Sequence, residues 1–199
     1  MTAQQQTFVT NGGVGVTAAT RDLDVAADLE ALIDRLDAER GVLLSSSYEY
    51  PGRYTRWDMG FVRPPLAVTA VGGEITVEAL NARGEVLLAP IEQALAASGG
   101  VGSVVRTGTT VTCAVERATR HFDESERSRQ PSSFTVVRSI VDLFGTDQPH
   151  LGLYGAFGYD LAFQFEPIDL VLPRGDAQRD LVLYLPDELF VVDHQHGIA

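Results

Sequence analysis

Apolar positions recur along this chain in two periods, one helical and one extended. From Val25, the residues Leu29, Leu32, Ile33 and Leu36 follow at steps of three and four, the spacing that lines up side chains on one face of a helix. Asp24 stands where it can cap the first turn and Gly41 where it can end the last, so an amphipathic helix is predicted between them. A second helix is predicted from Pro131-Ser132-Ser133, with Val136, Val137, Ile140, Val141 and Phe144 as its apolar face and Gly145 as its stop. A shorter helical segment opens at Pro90 and ends at Gly99-Gly100.

The extended pattern is more frequent. Val42-Leu43-Leu44 reads as a short buried strand, and the runs Leu66 to Val71 and Glu74 to Leu80 flank Gly72-Gly73, a two-residue connection favoured in antiparallel hairpins. Asn81 to Gly84 is expected to turn the chain into Glu85 to Ala89, and the Val- and Thr-rich run from Val101 to Val115 is expected to be strand. Leu181 to Leu185 and Leu189 to Val192 add two strand runs around Pro186-Asp187-Glu188, while the charged stretch from Glu116 to Ser128 marks a solvated connection. Residues 1–20, with Asn11-Gly12-Gly13 and several Thr, read as a flexible lead-in or a short edge strand ahead of a domain over 21–199. Strands outnumber helices and hairpin signals dominate, so the fold class is α+β, antiparallel sheet layers with a few helices.

Composition narrows the function. A length of 199 residues favours one domain, and 45% apolar content is enough for a sizeable core. No stretch approaches the roughly 20 apolar residues of a membrane helix, and the N-terminal residues lack the pattern of a signal peptide, so a cytoplasmic protein with no membrane partner is expected. The net charge of −12, with all 15 basic residues Arg and scattered, argues against a nucleic-acid partner. The single Cys113, in Val111-Thr112-Cys113-Ala114-Val115, allows no internal disulfide and reads as a small core residue.

Catalytic motifs are sparse. Of His121, His150, His194 and His196, only the pair His194 and His196 shares one strand face, with no third ligand in sequence to make a metal site. Gly152, Gly155 and Gly158 recur every third residue; they could form an anion cradle of exposed N–H groups, but interleaved Leu153, Tyr154 and Phe157 favour close backbone packing. Acidic pairs such as Asp187-Glu188 beside a proline read as turn residues. The stretch Ser45 to Asp58 stands out, with three consecutive Ser followed by three Tyr, two Arg and a Trp. Hydroxyls beside aromatics suit a small aromatic ligand with a polar head, although a packed loop of the same composition remains an alternative.

These residues carry a resemblance. Leu43-Leu44-Ser45-Ser46-Ser47 lies where anthranilate synthase component I has its Leu-Leu-Glu-Ser tryptophan-binding motif, at the end of a strand after the first long helix. Ser46 matches the motif's Ser; Ser45 stands in place of its Glu, which removes a charged acceptor for an amino group. The continuation from Tyr48 to Asp58 looks like the subclass in which synthase and glutaminase are fused. Gly152 to Glu166, a glycine-aromatic segment with Tyr159-Asp160 and Phe165-Glu166, and Asp180 to His194 are similar to two further family segments in the same order.

The resemblance implies an enzyme of tryptophan biosynthesis that converts chorismate to anthranilate and pyruvate with ammonia from glutamine, uses Mg²⁺ and is inhibited by tryptophan. In the family the chorismate and Mg²⁺ ligands lie in a C-terminal chorismate-binding region outside this chain, with the glutaminase domain or subunit as partner. Residues 21–199 would then be the N-terminal, regulatory portion, without catalytic or metal residues of its own and inactive alone. Leu44, Ser45 and Ser46 would border the tryptophan site, Ser46 offering its hydroxyl to the head group and Leu44 its backbone, while either Arg53 or Arg56 would pair the carboxylate. Unpaired edges would favour a homodimer or aggregation. The same segment of an aminodeoxychorismate or phenazine-pathway synthase, and a stand-alone module that binds an aromatic amino acid, are the alternatives.

Overall fold

The computed structural model describes residues 4–45, 57–116, 126, 130–165, 168, 171–175 and 177–199. Its centre is the hairpin of β5 (Leu66–Val71) and β6 (Glu74–Ala79), in which Val71 pairs with Glu74 and Gly72-Gly73 form the two-residue loop. Gly72 takes a positive φ of 62°, which a glycine adopts without the steric cost of a Cβ. The expected strand over 101–115 is two strands. β7 (Val101–Thr107) reverses at Gly108, with φ 56°, and returns as β8 (Thr110–Val115). With β9 (Tyr154–Phe157) and β10 (Leu181–Leu185) these form a six-stranded antiparallel sheet of order β7-β8-β6-β5-β10-β9.

Alternation along these strands places Val68, Ala70, Ile75, Val77, Val111, Leu181 and Leu183 on one buried face. Two helices cover that face. α2 (Ala82–Ala96) contributes Leu88, Ile91 and Leu95, and α3 (Ser133–Phe144) contributes Val136, Ile140 and Leu143. α3 has the predicted limits, with Ser132 before its first turn and Gly145 after its last. α2 corrects the sequence reading: it starts at Ala82 and runs through Pro90. Asn81 caps it, its side chain accepting from the N–H groups of Arg83 and Gly84. A proline inside a helix costs about 3 kcal/mol, but burying three large aliphatic side chains returns about 5–9 kcal/mol at 1.5–3 kcal/mol each, so packing overrides the local preference.

A smaller antiparallel sheet of order β11-β4-β3 lies on the other side, built from β3 (Gly41–Leu44), β4 (Trp57–Val62) and β11 (Phe190–Asp193). One face packs Leu43, Val62, Phe190 and Val192 against Leu29, Leu32 and Leu36 of α1 (Val25–Leu36). Asp24 caps α1 as expected, accepting from Ala27 N–H at 2.8 Å. Gly41 does not end it. The helix stops at Leu36, and Gly41 opens β3, where an added Cβ would lie 2.2 Å from the Phe61 carbonyl oxygen, so only glycine permits that approach. Phe61 points to the opposite face and meets Tyr154 and Tyr184 edge to face, with centroids 6.1 and 6.0 Å apart. The layers therefore run α1, small sheet, large sheet, then α2 with α3.

Residues 4–20 form a hairpin of β1 (Gln4–Val9) and β2 (Gly15–Thr20). Its turn is tied to the end of α3: Thr10 Oγ1 and Gly12 N–H donate to the Leu143 carbonyl and Asn11 N–H to that of Gly145. Such bonds satisfy carbonyls that a helix C-terminus leaves open. Among the three periodic glycines, Gly155 and Gly158 are sites of close packing, with an added Cβ 2.1 Å from the Val182 oxygen and 2.9 Å from the Asp180 oxygen; Gly152 lies in open space. The charged connection read between Glu116 and Ser128 falls almost wholly outside the described residues. Among the described residues no helix is long and apolar enough to cross a membrane.

Candidate functional site

Strand direction brings three segments to one end of the small sheet. Leu44 pairs with Met59, so β3 finishes where β4 begins, and Asp193 pairs with Trp57, so β11 finishes there too. Leu44 and Ser45 thus share a sheet end with Trp57, Asp58, Asp193 and His194. Leu44 is 43% exposed, a large apolar side chain left open where the resemblance places a ligand. β3 is also the outer strand of its sheet among the described residues, so one side of its backbone offers N–H and C=O groups to a ligand. Ser46, Arg53 and Arg56, the remaining residues of the expected site, lie outside the described residues.

Two carboxyl groups with no role expected from sequence also sit at this sheet end. Asp58 and Asp193 are 6% and 4% exposed, and each carries a histidine. His194 Nε2 meets Asp58 Oδ2 at 2.8 Å, and His196 Nδ1 meets Asp193 Oδ2 at 2.8 Å. Asp193 Oδ1 also accepts the N–H groups of Gln195 and His196, fixing the turn after β11. A buried carboxyl group needs such partners. The available signal was an isolated Asp in each of two strand runs, Trp57-Asp58-Met59 and Val192-Asp193-His194: Asp58 finds its partner far along the chain in His194, and Asp193 finds its donors in the turn directly after it.

The two histidines considered as a metal pair are therefore divided between two carboxyl groups. Among the described residues no group of three or more His, Cys, Asp or Glu is placed to hold a metal ion. Trp57 projects from the face opposite Asp58 and meets the His150 ring edge to face at 6.2 Å. The arrangement suits binding: hydroxyl and strand backbone at Leu44-Ser45, an indole, and two oriented imidazoles at one sheet end. No nucleophile, base and donor set of the kind that acyl or phosphoryl transfer needs converges among the described residues.

A hollow of about 620 Å³ lies between the small sheet and the start of α2, lined by Glu39, Arg40, Arg63 and Glu78 among others. Glu39 bonds Arg35 at 2.9 Å, which holds its carboxyl below the usual range, and lies 3.5 Å from Arg63. These opposite charges satisfy one another on an open surface, and the hollow is separate from Leu44-Ser45.

No protein-family model matches the chain. Among curated proteins it is 49% identical to an anthranilate synthase of Azospirillum brasilense over 96% of its own length. It is 28% identical to anthranilate synthase component 1 of Haemophilus influenzae over 100% of its length, and 30% identical to that of Vibrio cholerae over 87%. The chain spans 26%, 38% and 33% of these three relatives.

Proposed function

We propose, for a chain related along nearly its whole length to anthranilate synthase component 1, that it is the N-terminal regulatory portion of such an enzyme and carries part of a tryptophan site at the Leu44-Ser45 end of the small sheet. The observation that carries the reading is the 49% identity over 96% of the chain. Conversion of chorismate to anthranilate and pyruvate, and the Mg²⁺ it uses, then fall to the part of the relatives that this chain does not span, with a glutaminase component supplying ammonia. A cytoplasmic location belongs to the same proposal.

The physical case rests on what tryptophan requires. Its indole wants an apolar slot, and its zwitterionic head wants hydroxyl, backbone and charged partners. The exposed Leu44 side chain, the free side of β3 and Ser45 supply the first kinds; Ser46 would add a hydroxyl, and Arg53 or Arg56 a partner for the carboxylate. Inhibition follows only if tryptophan binds one state of the whole enzyme better than another. A ligand held between this sheet end and the catalytic region would do so by resisting closure on chorismate.

Calorimetric titration of tryptophan into the protein, with Ser46→Ala beside it, tests the reading. Losing a hydrogen bond to a charged group costs about 1.5–3 kcal/mol, so the variant should bind roughly 10- to 150-fold more weakly. Equal affinity removes Ser46 from the site, and anthranilate formed by this chain alone from chorismate, ammonia and Mg²⁺ refutes the division of labour. A second reading has one specific observation in its favour. A Pseudomonas aeruginosa relative named as anthranilate synthase component 1, pyocyanine specific, is 26% identical over 76% of the chain. With Ser45 in place of an acidic residue, an enzyme of that kind would be indifferent to tryptophan.

A further inference from the structure

We propose, resting on the tryptophan site put forward above, that Arg83 is a positioning residue for it: Arg83 ties together the two crossings of the chain between the sheets and so sets the angle at which the small sheet carries Leu44-Ser45. The chain leaves β4 of the small sheet for β5 of the large one through Arg63-Pro64-Pro65. It returns from β10 to β11 through residues 186–189. At the end of the small sheet that adjoins the first crossing Gly41 pairs with Val62, whereas Leu44 pairs with Met59 toward the other end. The joint and the candidate site thus stand at opposite ends of one three-stranded sheet, where a small change of angle at the first moves the second most.

The first crossing is pinned to the start of α2. Three successive carbonyls accept from it: Arg63 from Arg83 Nη2 at 2.8 Å, Pro64 from Asn81 Nδ2 at 3.4 Å and Pro65 from Leu80 N–H at 2.8 Å. Arg63 N–H turns the other way and donates to the Arg40 carbonyl at 2.7 Å, directly before β3. One residue therefore faces both layers, and its φ of 54° is a left-handed conformation that a non-glycine side chain resists. Such a conformation persists where the surroundings impose it. Arg83 extends the grip to the second crossing, its Nε pairing with Asp187 at 2.7 Å. A cation in the first turn of a helix opposes the helix dipole, so the placement of Arg83 serves the two crossings and not α2. The hollow of about 620 Å³ opens at the same joint, with Arg40 and Arg63 on one side and Glu78 on the other, and leaves room for the angle to change.

Nitroxide labels at Glu30→Cys on α1 and Gln93→Cys on α2, both exposed, span the layers while Cys113 stays buried. Double electron–electron resonance should give one narrow distance distribution when Arg83 is present. An exposed ion pair and a charge-assisted bond to a carbonyl together bias a two-state joint by about tenfold, so Arg83→Ala should raise a displaced population by that factor. Tryptophan affinity, read by calorimetry, should fall in proportion to the fraction left at the original distance. Ile140→Val, a truncation in the core away from both crossings, should change neither reading. Identical distributions with and without Arg83 overturn the proposal, as does equal broadening in Ile140→Val, or a displaced population with unchanged tryptophan affinity. If the protein with Arg83 binds no tryptophan, the proposed function falls, and the distances alone decide whether Arg83 sets the angle.

Discussion

Replacing Gly41 by alanine tests whether the packing of α1 on the small sheet places the candidate site. The added Cβ would lie 2.2 Å from the Phe61 carbonyl oxygen, 2.7 Å from Leu36 Cδ2 and 2.9 Å from Val62 Cα. The leucine methyl can rotate away; the other two atoms are backbone of the strand to which Gly41 is paired, so relief requires β3 to move off β4. Such overpacking costs about 1–3 kcal/mol. A glycine-to-alanine change also restricts the unfolded chain, which offsets about 0.4–1 kcal/mol. The net loss of about 1–2 kcal/mol corresponds to a fall in Tm of about 2–8 °C for a chain of this size. Gly152→Ala is the control, because its Cβ meets nothing within 4 Å and its φ is unexceptional. Thermal unfolding followed by the fluorescence of Trp57, which sits at the sheet end in question, reads both variants. Equal midpoints for Gly41→Ala and Gly152→Ala would show that β3 is not held as tightly against β4 as the distances require, and with it the placement of Leu44 and Ser45.

Two further outcomes follow from buried groups. His194→Ala should destabilise more than Asp58→Asn: the first strands a carboxyl group whose side chain is 9% exposed and costs about 1.5–3 kcal/mol, whereas the second keeps the shape and an acceptor opposite an imidazole that water reaches at 43% exposure. Matched urea unfolding curves measure the difference, and the reverse order would refute the pairing. Burial pushes the Cys113 thiol up to about 11, so a thiol reagent at pH 8 should leave the native protein unmodified and label it after unfolding. Because the folded value is raised, the native state holds its proton longer than the unfolded chain. The contribution is complete below the ordinary thiol range and is lost as pH climbs toward 11; a thiol that reacts rapidly at pH 8 in the folded protein would contradict this.

Where local pattern and tertiary packing ask for the same thing, the sequence sufficed. Asp24 before α1, Ser132 and Gly145 around α3 and the Gly72-Gly73 hairpin are each set by residues within a few positions of one another. Elsewhere the deciding partner is remote in sequence. Gly41 looked like a helix stop, yet its small size answers to Phe61, twenty positions on, and Pro90 looked like a helix start because its penalty is local while Leu88, Ile91 and Leu95 are rewarded by a sheet. β4 went unpredicted because Asp58 and Gly60 interrupt its apolar pattern. Both interruptions have remote causes: a Cβ at Gly60 would press on Leu32 at 2.5 Å, and Asp58 answers to His194.

The candidate site follows the same rule. The strand end at Leu44-Ser45 was legible, since a short apolar run followed by hydroxyls is a local feature. Asp58 and His194 were not, because that acid gains its partner only when strand pairing brings in a residue more than a hundred positions away, whereas Asp193 is held by the turn that follows it, through Gln195 and His196. That separation also says what each part can do. Leu44-Ser45 closes β3, an outer strand among the described residues, so on the proposed reading those residues would meet the ligand. Asp58 lies on β4, the central strand, and Asp193 at the end of β11, each with its donors already supplied, so they set the position of that end. A substitution at Leu44 should thus change affinity with little change in stability, and one at His194 should change stability first and affinity only through it.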